Sequence, residues 1–162
     1  MTDLYSELLV KKEQTVKDKA IKILMIAGIA LTAVAGLIIP FAWILTLALG
    51  IAAYFILPKL DLEFEYVFVN GELDIDKIMS KAKRKRVKSF DLAKMDIMAP
   101  VNSHRLEYQN HNTKAKTLDF SSGNASHKVF AMFIPDEKEL YKVLIEPDAQ
   151  LIENIQKSCP RK

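Results

Sequence analysis

The sequence predicts an α+β protein: an N-terminal transmembrane helical hairpin, then a small antiparallel β domain that closes on a C-terminal helix. Three observations carry this reading. Residues 23–57 are 35 consecutive positions without Asp, Glu, Lys, Arg, His, Asn or Gln, more than any single buried element of a small domain needs. From residue 60 the pattern changes to alternation of apolar and acidic side chains, the period of a half-buried strand. Near the end, "PDAQLIENIQKS" sets Leu151, Ile152 and Ile155 on one helical face.

Composition narrows the choices. The chain has 162 residues, room for one ordinary domain and a modest extra element, and half of them are apolar. A net charge of +3 is too small for the one-sided footprint of a nucleic-acid binder. Cys159 is the single cysteine, so neither an intrachain disulfide nor a cysteine-based zinc site can form. That usage fits a reducing compartment.

Residues 23–58 must fold back on themselves. One straight helix of 35 residues would run about 52 Å, against a hydrocarbon core of about 30 Å. A break beside Pro40, which lacks a backbone donor and clashes with the preceding turn, leaves two arms of about 17 residues each. Gly28, Thr32 and Gly36 on the first arm, and Ala42, Thr46 and Gly50 on the second, form ridges of small residues that let membrane helices approach closely. Trp43 and Tyr54 are placed as interfacial aromatics.

Lysines 11, 12, 17, 19 and 22 precede the hairpin and Lys59 follows it, while the connection carries no charge. The positive-inside rule therefore predicts two spans of the cell membrane with both termini cytoplasmic. The "AVAG" at 33–36 has the small-x-small look of a signal-peptide cleavage site. Against cleavage, the leading region holds Asp3, Glu7, Glu13 and Asp18, and about 20 apolar residues follow it.

For residues 1–22, Leu4, Leu8 and Leu9 at helical spacing, with Thr2 or Asp3 as a cap, predict an amphipathic cytoplasmic helix that either lies on the membrane or extends the first arm.

Residues 59–162 form the β domain. In the first strand Leu60, Leu62, Phe64, Tyr66 and Phe68 alternate with Asp61, Glu63 and Glu65. Asn70-Gly71 supplies the positive φ values of a type I′ turn, which sets Phe68 against Leu73, Tyr66 against Ile75 and Glu65 against Asp76, with an acidic outer face. Further strands are expected at 84–92, 94–99, 115–121, 128–134 and 139–146, and "HRLEYQN" at 104–110 reads as a strand or a helical turn. The terminal helix is closed by Pro160. About seven short strands and one C-terminal amphipathic helix resemble the pleckstrin-homology superfold, a partial barrel plugged at one end.

The run "LDLEFEYVFVNGELDIDKIMSKAKRKRVKSFDLAKMDIMAPVNSHRLEY", behind a double apolar arm and "YSELLVKK", resembles an uncharacterised domain-of-unknown-function family of small two-helix membrane proteins of Gram-positive bacteria. The resemblance covers essentially the whole chain. It implies no assigned activity and no catalytic residues to carry over.

The residues themselves offer little chemistry. His104, His111 and His127 lack the spacing of a metal pair, and Cys159 has no evident base. Asp91 and Asp96 around "LAKM" are one weak carboxylate pair, and "SSGN" lacks the spacing of a phosphate loop. No cofactor, metal or catalytic residue is expected. The reading is a membrane-anchored, non-enzymatic protein whose β domain serves as a protein-interaction or scaffold module. The alternatives are an anionic-lipid-binding module and a membrane enzyme with an unrecognised site; homo-oligomerisation stays open.

The lipid alternative rests on "KAKRKRVK", residues 81–88, with six basic side chains in eight. An antiparallel pairing with the preceding strand would set Asp76 opposite Arg86 and Asp74 opposite Lys88. It would leave Lys81, Lys83, Arg84 and Lys85 at the turn, beyond the acids, as lipid or partner contacts.

Overall fold

The computed structural model describes residues 4–111, 114–136 and 139–159. Its first element is a strand, β1 (Tyr5–Lys11), where the leucine spacing predicts a helix. Ser6 and Val10 are buried and Leu8 is half-buried, while Tyr5, Glu7 and Lys11 face outward, which is period two. The strand pairs antiparallel with residues 63–69, from Tyr5 opposite Val69 to Lys11 opposite Glu63. That ladder and the burial of Val10 outweigh the weak helical preference of a short polar segment. Thr2 and Asp3 lie outside the described residues. Among the described residues, 4–22 form no separate helix, and β1 belongs to the β domain.

Helix α1 (Val16–Gly36) begins seven residues earlier than the uncharged stretch. Thr15 Oγ1 accepts the Asp18 amide at 3.2 Å and Asp18 Oδ2 accepts the Thr15 amide at 2.9 Å, a reciprocal capping box. Residues 37–41, including Pro40, turn the chain into α2 (Ala42–Leu60). At 1.5 Å per residue the two helices run about 31 and 28 Å, both long and apolar enough to cross a membrane. Only 6% of each apolar window is buried, so nearly all of this apolar surface faces outward, an arrangement stable in lipid and not in water. The "AVAG" segment is the last turn of α1.

Strands β2 (Leu62–Val69), β3 (Glu72–Met79) and β4 (Lys83–Asp91) complete a sheet of order β1-β2-β3-β4. Asn70 and Gly71 have φ of 48° and 99°, and the β2–β3 register is the expected one: Phe68 opposite Leu73, Tyr66 opposite Ile75, Glu65 opposite Asp76. A 3₁₀ turn at Leu92–Lys94 shortens the next strand to β5 (Ile97–Pro100). "HRLEYQN" is helical, a 3₁₀ turn at His104–Leu106 running into α3 (Glu107–Asn110). Strands β6 (Lys116–Asp119), β7 (Phe130–Asp136) and β8 (Glu139–Ile145) join β5 in the order β5-β7-β8-β6. One pair departs from the antiparallel rule. The long connection 120–129 carries the chain across the sheet end, so β6 lies beside β8 and parallel to it.

The two sheets enclose a core built on Tyr66, Phe68, Leu73, Ile75, Phe90 and Met132. Helix α4 (Ala149–Ser158) contributes Leu151 and Ile155, with Ile152 on the rim. Its cap is Asp148, whose Oδ1 accepts the Leu151 amide at 2.7 Å. Asn154 donates to the Tyr5 carbonyl at 3.3 Å, tying the last helix to the first strand. Pro160 lies outside the described residues.

Candidate membrane-contact face

The hairpin is the connection between two neighbouring strands. β1 leads through residues 12–15 into α1, and α2 leads through Asp61 alone into β2. Adjacent strands lie about 4.8 Å apart and packed helices 8–10 Å, so the pair of exits matches the pair of helices with little slack. Lys12 N–H donates to the Leu62 carbonyl at 2.9 Å, closing the ladder right up to the helices. The β domain is thus held by two short junctions, with one end set against the helix entrance.

The β3–β4 turn stands at that same end. Ser80 N–H donates to the Asp61 carbonyl at 2.9 Å, and Ser80 and Lys81 adopt φ of 48° and 56° without any glycine to mark the turn. Lys83 Nζ lies 5.4 Å from the centre of the Tyr54 ring, one to two turns inside the end of α2. The fold therefore collects bases from separate parts of the chain, Lys11 and Lys12, Lys17, Lys19 and Lys22, Lys59, and the turn itself, around one end of the domain.

The run 81–88 does not act as a unit. Arg84 pairs with Glu65, and its Nε lies 3.5 Å from Asp76. Arg86 bonds Asp74 at 2.9 Å and Asp76 at 3.5 Å. The acids beneath them are shielded: Glu65 and Asp76 are 3% and 6% exposed, so the expected acidic outer face is covered by guanidinium groups. Of the turn residues read from the sequence as contacts, Arg84 is engaged by the sheet's own acids, while Lys81, Lys83 and Lys85 are exposed and without an ion pair among the described residues.

The expected register holds at Asp76, opposite Arg86, and fails one step on. A β-bulge between Ile75 and Asp76 leaves Val87 extra in β4, so Asp74 faces Ser89 and Lys88 faces Ile75. Lys88 turns inward, bonds Asp136 at 2.7 Å and lies 3.6 Å from the Tyr141 ring centre. Partial burial opposes charging of its ammonium, but hydrogen bonds to Asp136 and Tyr141 outweigh that and raise its pKa. β4 is thus clasped to the second sheet by a side chain.

The predicted helix ridges divide in the same way. A Cβ on Gly36 would come within 2.8 Å of the Trp43 indole, and one on Gly28 would sit 3.8 Å from Leu49, so both lie on the packed side. Thr32 and Thr46 turn their hydroxyls onto the Gly28 and Ala42 carbonyls of their own helices, at 2.9 and 3.1 Å. Gly50 meets nothing within 4 Å and, with Thr46, lines an open apolar groove of about 790 Å³ beside Trp43 and Tyr54. Of the second ridge, Gly50 therefore takes no part in the hairpin seam.

Three of the remaining candidates have structural partners. Asp91 caps the 3₁₀ turn through the Ala93 amide, His104 bonds Glu107, and Cys159 Sγ donates to the Leu92 carbonyl at 3.2 Å. No group of three or more His, Cys, Asp or Glu able to hold a metal occurs among the described residues.

One cluster was not legible in the sequence. Glu146 Oε1 accepts the Ser122 amide and hydroxyl at 2.9 and 2.7 Å, and its Oε2 lies 3.0 Å from His127 Nδ1. Ser122 donates to the carboxylate, and His127 reaches both partners through the same nitrogen. A nucleophile relay needs the serine on one ring nitrogen and the carboxylate on the other. The cluster is a brace that holds the 121–128 loop to the end of β8. Beneath it Tyr66 donates to the Phe120 carbonyl at 2.6 Å, and burial pushes the Tyr66 hydroxyl far above its ordinary pKa. Sequence separations of 19 and 24 residues hid the cluster, since only the fold brings β8 to the loop.

A two-sheet β domain plugged by a C-terminal helix and carried on an apolar helical hairpin defines a membrane-associated protein of the pleckstrin-homology-like class. The chain belongs to the family described as "Bacterial PH-like domain (DUF6106)", a domain of unknown function whose model matches residues 2–162. No curated protein and no solved structure matches it.

Proposed function

We propose that the chain is a non-enzymatic protein of the cell membrane whose PH-like domain lies on the cytoplasmic side and holds its basic turn against anionic lipid head groups. The observation that carries this reading is the junction at Asp61. One residue separates α2 from β2, and its carbonyl accepts the Ser80 amide, so the turn cannot swing away from the helix exit. Orientation follows from lysines at both helix ends and none in residues 37–41. Each lysine near an anionic surface contributes about 1 kcal/mol, screened within a Debye length.

The test uses the full chain, because β1 belongs to the domain. In nanodiscs containing phosphatidylglycerol at low salt, backbone amides of residues 80–85 exchange more slowly than in neutral phosphatidylcholine nanodiscs, and high salt removes the difference. Equal exchange in both lipids overturns the reading.

A protein partner is the second role we propose. Tyr5, Leu9 and Val69 are 52%, 55% and 43% exposed on the outward face of the first sheet, outside the membrane helices. Capture of a stoichiometric protein in mild detergent, lost on Leu9→Lys, is the expected result; capture unaffected by that substitution sinks it.

A further inference from the structure

We propose that the cleft between the β1–α1 link and the 121–128 loop binds one phosphate group, supplied by an anionic phospholipid. This deepens the reading above and rests on its orientation of the domain. The cleft has a volume of about 530 Å³. Lys11, Lys12 and Lys19 line one wall, Ser122 and His127 the other. It lies on β1, at the opposite edge of the sheet from Lys83 on β4, three strand spacings or about 14 Å away. The two basic sites can therefore be altered separately.

The walls are fixed and the charges are not neutralised. Glu13 N–H donates to the Ser122 carbonyl at 2.8 Å, locking the link to the loop. Glu146 holds both Ser122 and His127, which fixes that wall of the cleft. The lining includes one acid, Glu13, whose Oε1 is taken by Asn124 Nδ2 at 2.7 Å. Lys12 and Lys19 have no ion pair among the described residues, and Lys11 only a 3.8 Å approach to Asp61. Lys12, Lys19 and the loosely paired Lys11 line the same cleft and outnumber its one acid, and a tetrahedral oxyanion with several acceptor oxygens offers each of them a partner.

Depth selects the source of the phosphate. Lys19 is one helical turn before Ile23, the first residue of the uncharged stretch, about 6 Å along the axis. That places it in the head-group layer, a few ångströms outside the hydrocarbon. The leading amides of α1 are partly occupied by Thr15, so side chains and not the helix end supply the charge.

The experiment takes full-length protein from phosphatidylglycerol-containing membranes in mild detergent and weighs it by native mass spectrometry. One phosphatidylglycerol stays on each chain; the double substitution Lys12→Gln/Lys19→Gln loses it, and Lys94→Gln/Lys157→Gln, at bases paired with Asp91 and Glu153 away from both the cleft and the basic turn, keeps it. Retention by the Lys12/Lys19 variant overturns the proposal. A second arm follows the His127 ring resonances in nanodiscs. They shift with phosphatidylglycerol; a shift only when inorganic phosphate is added to neutral nanodiscs overturns the lipid source, and no shift with either overturns the site. Failure of the basic-turn reading would show instead in amide exchange at residues 80–85, which this cleft does not touch.

Discussion

Arg84 and Arg86 lie across the outward face of the first sheet on Glu65, Asp74 and Asp76, whereas Lys81, Lys83 and Lys85, from the same eight residues, stand at the membrane end without ion pairs among the described residues. The forked guanidinium reaches two carboxylates at once, which suits Arg84 and Arg86 to cover two nearly buried acids. The compact, strongly hydrated ammonium stays in water or at a head-group surface. A cluster of one sign of charge is thus two devices, one that keeps a sheet face neutral and one free to meet an external anion.

The largest effect that would break this division comes from the arginines. Arg84→Ala leaves Glu65, 3% exposed, without its cation, and destabilises the domain by about 3 kcal/mol. That is the low end for a broken buried pair, because the guanidinium is itself half exposed. Adding Glu65→Gln restores most of the loss; chemical unfolding of the two variants measures it, and an unchanged midpoint for Arg84→Ala would make the pair decorative.

Two glycines sharpen the same lesson in the hairpin. Gly36→Ala drives a methyl into the Trp43 indole and destabilises helix packing by about 2 kcal/mol, whereas Gly50→Ala fills open space and leaves it unchanged within about 1 kcal/mol. Unfolding in mixed micelles separates them; equal responses would show that the two ridges play equivalent parts.

Lys83→Gln is smaller and of a different kind. It removes about 1 kcal/mol of attraction to anionic lipid and leaves the unfolding midpoint where it was. A shifted midpoint with unchanged lipid dependence would place Lys83 among the structural bases.

The smallest expected effect lies far from the membrane end and depends on pH. Hydrogen bonds from Tyr141 and Lys116 hold the Glu139 carboxyl below the usual range. A carboxyl with a depressed folded pKa stabilises fully above its unfolded value, about 4.3, and loses that contribution as pH falls through the lower folded value. Thermal unfolding across that window should fall less steeply toward acid in Glu139→Gln than in the parent; identical slopes refute the assignment.

Much of this was legible locally. The alternation at 60–68 and the Asn70-Gly71 dipeptide give the register of β2 and β3, because a two-residue turn leaves one pairing that buries Tyr66 and Phe68 together. Pro40 and the uncharged stretch give two helices. β1 was not legible: Ser6 interrupts its apolar alternation, and its strand form depends on β2, more than 50 residues on across the hairpin. The bulge at Val87 was equally hidden, since no glycine announces it and it appears only as a slip between two strands.

The sequence by itself determined that apolar helices carry a small β domain, and which end of the hairpin bears the charge, because hydropathy and turn chemistry act over neighbouring residues. Only the tertiary structure decided that β1 completes the sheet before the hairpin begins, that two arginines are consumed by buried acids, and that Lys11, Lys12, Lys19 and His127 share one cleft. These outcomes depend on which distant segments the ladder places side by side, and charge and burial are properties of that arrangement.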